Sequence, residues 1–269
     1  MVANEITSSV QAKGTKTVVA AAVAMAISGT ALAASQYVEA PASGAAAFTT
    51  TTTIDKLKAE NVFTYAPTGD KKQAAPLLAT GADKTLTVAA DQTIWVIGNN
   101  ANAQATGLWS SGSSKSGVEN KGTIYVTTNA ASGGVTWQNR AMGVDKGTAT
   151  NNGVIVAKDA YGMTVGSSGD KDTAKIVNGV NGKIYVEDRG VGIELGGVAS
   201  GSQTKAEATN YGEIYASAAK DFGTSDKNGK FTNAVQIKGD ANNLLSGQKF
   251  VNEESGKIYA ADASSAVYV

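Results

Sequence analysis

Neither cysteine nor histidine occurs anywhere in the 269 residues. Their absence removes disulfides, thiol nucleophiles, imidazole acid–base catalysis and structural zinc of the Cys/His kind, leaving carboxylates, hydroxyls, Lys and Arg as possible chemistry. No cofactor is implied. Charge of one sign is lacking too, since 23 Lys plus Arg balance 23 Asp plus Glu. A chain without a net positive field offers no electrostatic footprint for nucleic acid, so none is expected as partner. Prolines number three and aromatics make up 6%. What is present in quantity is glycine, 31 residues, within a chain that is 42% apolar and 17% charged. That composition can build a core and is too poor in charge for a disordered polyelectrolyte.

The N-terminal segment reads as a targeting signal. Lys13 and Lys16 precede an unbroken apolar run of ten residues from Val18 to Ile27, and Ala31-Leu32-Ala33 then offers the small-x-small site of a signal peptidase. Ten residues are half of the ~20 needed to span a bilayer, so residues 1–33 are expected to be a cleaved Sec signal peptide. Residues 34–84 hold all three prolines, a run of five threonines from Thr49 and Ala45-Ala46-Ala47, and read as a low-complexity linker and N-terminal cap. Within it, Ile54 to Asn61 has the composition of a short helix.

From residue 85 to 269 the chain repeats. Gly122-Thr123-Ile124-Tyr125-Val126 recurs as Gly153-Val154-Ile155-Val156-Ala157, Gly182-Lys183-Ile184-Tyr185-Val186, Gly212-Glu213-Ile214-Tyr215-Ala216 and Gly256-Lys257-Ile258-Tyr259-Ala260, with Gln92-Thr93-Ile94-Trp95-Val96 ahead of them. The isoleucines at 94, 124, 155, 184, 214 and 258 are spaced 30, 31, 29, 30 and 44 apart, which marks a solenoid. Each motif alternates with period two and is β-branched or aromatic, so the repeat carries strands. Second strands follow (Gly162-Met163-Thr164-Val165, Gly190-Val191-Gly192-Ile193), and third strands precede the next motif (Ala174-Lys175-Ile176-Val177, Lys249-Phe250-Val251). The fold expected is all-β, a right-handed single-stranded parallel β-helix of about six coils.

Stacked coils place equivalent residues ~4.8 Å apart, so like side chains form ladders. The isoleucines point inward. Trp95, Tyr125, Tyr185 and Tyr215 point outward as an exposed aromatic column, interrupted at Val156. Asn120, Asn151 and Asn210, each four before its isoleucine, suit a corner in left-handed geometry with hydrogen bonds to the coils above and below.

A signal peptide, a Ser/Thr/Ala-rich start and Asn-x-Gly-x-Ile-x-Val coils together resemble the passenger region of bacterial autotransporters, the type V secreted adhesins of Gram-negative bacteria. The resemblance spans about residues 85–269. It implies an exported protein at the cell surface, outer membrane or outside the cell, carried by an outer-membrane β-barrel and acting in adhesion, aggregation or biofilm growth on glycans or proteins of host or neighbouring cells. The barrel's ~10-residue amphipathic strands are not among these residues, so the chain is expected either to be the N-terminal piece of a longer protein or to rely on an outer-membrane translocator supplied elsewhere.

The other reading is a β-helical polysaccharide lyase or hydrolase. Asp159 and Asp188, each four after its isoleucine, are the candidate metal ligands or acids, with Arg189 and Glu194 nearby. Asp is a common turn former and no third acid converges, so no catalytic residue is assigned and the chain is not expected to be an enzyme. For binding, the candidates are the Tyr185/Tyr215 pair and two long insertions, Thr127 to Asn139 with Trp137 and Ser217 to Lys230 with Phe222. Loops on a rigid scaffold are where recognition usually sits.

Overall fold

The computed structural model describes residues 82–98, 105–128, 139–165, 174–187, 189–195, 206–218, 232–237, 248–262 and 264–269, and the backbone of four upstream strand pieces. The signal peptide expected at 1–33 and the helix expected at 54–61 lie outside the described residues. Among those described, all the regular elements are strands. After β1 (Gln36–Tyr37), β2 (Ala47–Phe48), β3 (Val62–Tyr65) and β4 (Leu78–Thr80), the strands come in triplets. The first is β5 (Thr85–Val88), β6 (Thr93–Gly98) and β7 (Thr106–Ser110); the second is β8 (Gly117–Asn120), β9 (Thr123–Thr128) and β10 (Arg140–Val144). Next come β11 (Gly147–Asn151), β12 (Val154–Lys158) and β13 (Tyr161–Val165), then β14 (Ala174–Asn178), β15 (Lys183–Glu187) and β16 (Val191–Leu195). The last two are β17 (Ala206–Asn210), β18 (Glu213–Ala218) and β19 (Thr232–Ile237), and β20 (Lys249–Asn252), β21 (Lys257–Asp262) and β22 (Ser264–Tyr268).

Each strand pairs in parallel with its counterpart one triplet away. This builds sheet A (β1-β3-β6-β9-β12-β15-β18-β21), sheet B (β2-β4-β7-β10-β13-β16-β19-β22) and sheet C (β5-β8-β11-β14-β17-β20). The molecule is a parallel β-solenoid. Four coils, from β8-β9-β10 to β17-β18-β19, are covered on both sides by complete triplets. The ladders also begin before Thr85, because β3 pairs with β6 and β4 with β7 inside the segment expected to be linker and cap.

The core is a set of columns. Ile94, Ile124, Ile155, Ile184, Ile214 and Ile258 are in register through sheet A, and the first five are fully buried. Sheet C adds Leu86, Val118, Ala149, Ile176, Ala208 and Phe250. Sheet B departs from simple alternation. Leu108, Met142, Met163, Ile193 and Val235 face the core, and so does the small residue just before each: Ala141 and Ala234 are fully buried, and a Cβ on Gly162 or Gly192 would meet an isoleucine methyl of sheet A at 3.2 or 3.1 Å. Two consecutive inward residues bend the strand, and only a small first member leaves room for it.

The corner from sheet C to sheet A carries a continuous amide ladder. Nδ2 of Asn120 donates to Oδ1 of Asn151 at 2.9 Å, Asn151 to Asn178 at 2.9 Å, Asn178 to Asn210 at 2.7 Å, and Asn210 to Asn252 at 2.7 Å. Asn120, Asn151, Asn178 and Asn210 have no exposed surface. A buried amide must be satisfied or it destabilises the fold, and stacking at the strand spacing satisfies each by its neighbour. The left-handed backbone expected here is absent: among described non-glycine residues, positive φ occurs at Asp83 (57°) and Asp159 (49°). The glycine that follows the amide is required by crowding, since a Cβ on Gly153 would collide with the Gly122 carbonyl oxygen of the coil before.

Candidate functional site

The outer face of sheet A holds the aromatic column in unbroken register: Trp95, Tyr125, Val156, Tyr185, Tyr215 and Tyr259. The rings stack face to face, Trp95 on Tyr125 at 4.2 Å, Tyr185 on Tyr215 at 5.0 Å and Tyr215 on Tyr259 at 4.7 Å. Outward direction does not mean exposure. Trp95 and Tyr185 are buried at 5% and 8%, and Val156 at 1% lies in register between Tyr125 and Tyr185. A sugar binds an aromatic through an open ring face, and both faces of Tyr215 are occupied by its neighbours. This column therefore works as an external brace that presents ring edges and hydroxyls.

Beside it, Lys183, Glu213 and Lys257 occupy one register position in successive coils, with Glu213 bridging the two ammonium groups at 3.5 and 3.7 Å. The Tyr215 hydroxyl donates to Glu213 at 2.6 Å. That hydrogen bond, more than the flanking lysines, holds the Glu213 carboxyl below its usual range, while burial together with the same carboxylate pushes the Tyr215 phenol up. Because the folded pKa of Glu213 is depressed, its contribution is present above the ordinary carboxylate pKa and is lost as pH falls through the lowered one.

Asp159 sits in the two-residue corner between β12 and β13 and accepts a 2.7 Å ionic hydrogen bond from Nε of Arg189, one coil further. Its left-handed φ of 49° is a conformation that Asp and Asn tolerate better than other side chains. Asp188 lies outside the described residues. Glu194 lies near enough to Arg140 and Tyr161 on sheet B for its charge to act on both. Among the described residues no group of three His, Cys, Asp or Glu side chains is arranged to hold a metal. Changing Asp159 and Asp188 together to Asn keeps the corner conformation and removes a partly exposed ion pair, so stability should fall by about 1 kcal/mol or less. Melting followed with and without Ca²⁺ checks this: a Ca²⁺-dependent rise that disappears in the double variant would reveal a cation site.

Sheet B carries a polar cluster that the sequence reading missed. The Trp109 ring lies against Gly143, the next residue of its column, and donates from Nε1 to Asp145 at 2.9 Å. The Arg140 guanidinium covers the ring at 5.1 Å and reaches the Thr164 hydroxyl at 3.4 Å. Burial lowers the Arg140 pKa, opposed by Glu194, Tyr161 and Asp145, and burial with the Glu194 charge pushes the Tyr161 phenol up. The one sequence signal is a Trp followed by a Gly at the same height of the next coil, legible once the register is known. Near the last coil, Tyr211, Glu253, Glu254 and Ser255 line an open hollow of about 340 Å³. Trp137 and Phe222 lie outside the described residues, but the strand bounds place both insertions. Eleven residues separate β9 from β10 and thirteen separate β18 from β19, whereas β12 reaches β13 through two and β15 reaches β16 through three. Both insertions thus leave the corner from sheet A to sheet B.

No family model, no curated protein and no solved structure matches this chain.

Proposed function

We propose that the chain is an exported, surface-displayed β-helical passenger that serves as an adhesin or structural stalk in adhesion, aggregation or biofilm growth. A Sec signal at residues 1–33 takes it across the inner membrane, and an outer-membrane β-barrel translocator supplied elsewhere takes it to the surface. Its partners are glycans or proteins of host or neighbouring cells, met by the insertions that carry Trp137 and Phe222. The observation that carries this reading is the pair of insertions on one corner of the solenoid, three coils or roughly 14 Å apart at the strand spacing. A binding role is favoured over a polysaccharide lyase or hydrolase because Asp159, the described one of the two carboxylates named for chemistry, is engaged by Arg189.

Shortening 129–138 and 219–231 to brief Gly-containing corners leaves every core column intact, and loop closure of a shorter corner costs slightly less. The double deletion is expected to retain its β-rich circular dichroism and melt within a few degrees of the parent, yet to lose attachment of the displayed protein to cells. Attachment at the parent level would remove the insertions from the binding surface.

A further inference from the structure

The three stacked tyrosines of sheet A are alike in position and unlike in chemistry. Tyr185, Tyr215 and Tyr259 stand at one height of successive coils, with centroids 5.0 and 4.7 Å apart and ring planes within 12° and 7° of parallel. Tyr215, the middle ring, is the one whose hydroxyl donates to a carboxylate, Oε2 of Glu213 at 2.6 Å. That hydrogen bond, with the ammonium groups of Lys183 and Lys257, keeps Glu213 ionised.

A phenol yields an electron readily only when its proton leaves with it, because the oxidised phenol is a strong acid. Simple ionisation of Tyr215 is no route to this, since burial and the neighbouring carboxylate both hold the proton on. A carboxylate already hydrogen-bonded to the phenol removes the obstacle, because the proton moves along an existing bond at the moment the electron departs. The stack contributes as well. The faces of Tyr185 and Tyr259 lie against the two faces of Tyr215, and the negative face of an aromatic ring favours positive charge beside it. An electron vacancy on either outer ring therefore has a neighbour in contact to receive it, and only the middle ring has a base to take the proton.

From this geometry we infer that Tyr215 and Glu213 form a redox site that reduces one-electron oxidants, namely peroxyl radicals and high-valent metal complexes, with Tyr185 and Tyr259 as relays. One electron passes from the Tyr215 ring to the oxidant, directly or through a neighbouring ring, and the phenolic proton passes to the Glu213 carboxylate. The products are the reduced oxidant, a neutral tyrosyl radical and a neutral Glu213 acid; a peroxyl radical leaves as its peroxide anion and takes a proton from water. One electron from an external donor and the proton held on Glu213 restore the site. Lys183 and Lys257 oppose the step, because their attraction for the carboxylate is lost when it takes the proton. The inference is independent of the adhesive reading, since no residue of the insertions takes part.

The test uses the full chain and flash-generated tris-bipyridine ruthenium(III) as the oxidant, with tyrosyl radical followed by its visible absorption and by electron paramagnetic resonance. The parent should show a fast phase of radical formation above the slow background of the other tyrosines. Tyr215→Phe, which keeps the stacked ring, should remove that phase. Glu213→Gln, which keeps the shape but cannot take the proton, should slow it about a hundredfold, the lower end of what a positioned proton acceptor contributes. Lys183→Met should quicken it. In the parent, lowering the pH until Glu213 protonates should abolish it. Circular dichroism and melting check that each variant keeps the fold, and the pH series needs no substitution. No fast phase in the parent, a fast phase unchanged by pH through the titration of Glu213, or one that survives in Tyr215→Phe or runs at the parent rate in Glu213→Gln, would overturn the inference.

Discussion

Ile184→Asp is expected to lower Tm by roughly 10 °C or more. The reason is positional. Ile184 has no exposed surface and is held in register between Ile155 and Ile214. A carboxylate there finds no partner among the isoleucines, valines and alanines of the core cluster. Loss of the side chain alone costs about 2–5 kcal/mol, and the desolvated or protonated acid adds to it. Neighbours cannot move away, because each is fixed by strands above and below. Val180→Asp, at a corner residue that is 67% exposed, should melt like the parent. Tyr185→Asp should fall between the two, at about 1–2 kcal/mol, because the ring is outward yet packed by Val156 and Tyr215. The three melting curves check the assignment: if Ile184→Asp and Val180→Asp melt together, the column is not the core.

That intermediate value shows where sequence reading stops. Alternation told inward from outward correctly at Tyr185, because period two is a property of the strand itself. It could not tell outward from exposed, which depends on what the neighbouring coil presents at the same height. The side chains of one column cover each other, and Val156, which looks like an interruption along the chain, sits in register between Tyr125 and Tyr185 within the same outer cluster. The parallel solenoid was legible for a related reason: a residue repeated at one height of every coil leaves a periodic trace whatever its surroundings. The Arg140 cluster leaves no such trace. Its members come from three different columns, Arg140 with Tyr161, Trp109 with Glu194, and the corner at Asp145, and their proximity follows from the register of sheet B.

Registers also explain the missing asparagines. Counting back four residues from each isoleucine finds Asn120, Asn151 and Asn210 but passes over Asn178 and Asn252, which stand six before theirs. The corner exists in two lengths. Asn120, Asn151 and Asn210 reach the motif glycine across one residue, whereas Asn178 and Asn252 reach it across three, closed by a turn in which Gly182 N donates to the Gly179 carbonyl and Gly256 N to the Glu253 carbonyl. Counted from the third strand, all five are its last residue, in register from β8 to β20. The extra residues project outward as a loop and leave the ladder undisturbed.

Breaking that ladder in its middle should cost about as much as a large hole in the core. Asn151 accepts from Asn120 at 2.9 Å and from the Gly153 amide at 3.4 Å, and donates to Asn178 at 2.9 Å. Asn151→Ala removes these three contacts and a 3.5 Å bond from its Nδ2 to the Lys183 carbonyl, at a site with no exposed surface. The amide of Asn120 keeps its 3.2 Å bond to the Val154 carbonyl, so its loss is partial. Oδ1 of Asn178 loses the donor it has in the preceding coil. One buried acceptor and one backbone donor left unpaired, at about 1–3 kcal/mol each, set an expected destabilisation of roughly 3 kcal/mol. Asn252→Ala provides the contrast, because its amide terminates the ladder at an exposed position and should cost about 1 kcal/mol or less. Chemical denaturation of the two variants, with amide exchange at Gly153 and Lys183 read alongside, distinguishes a cooperative ladder from five separate corner caps. A cooperative ladder shows the large cost only in the middle and loses protection on both sides of residue 151, whereas equal costs at 151 and 252 would mean that each asparagine serves its own corner alone.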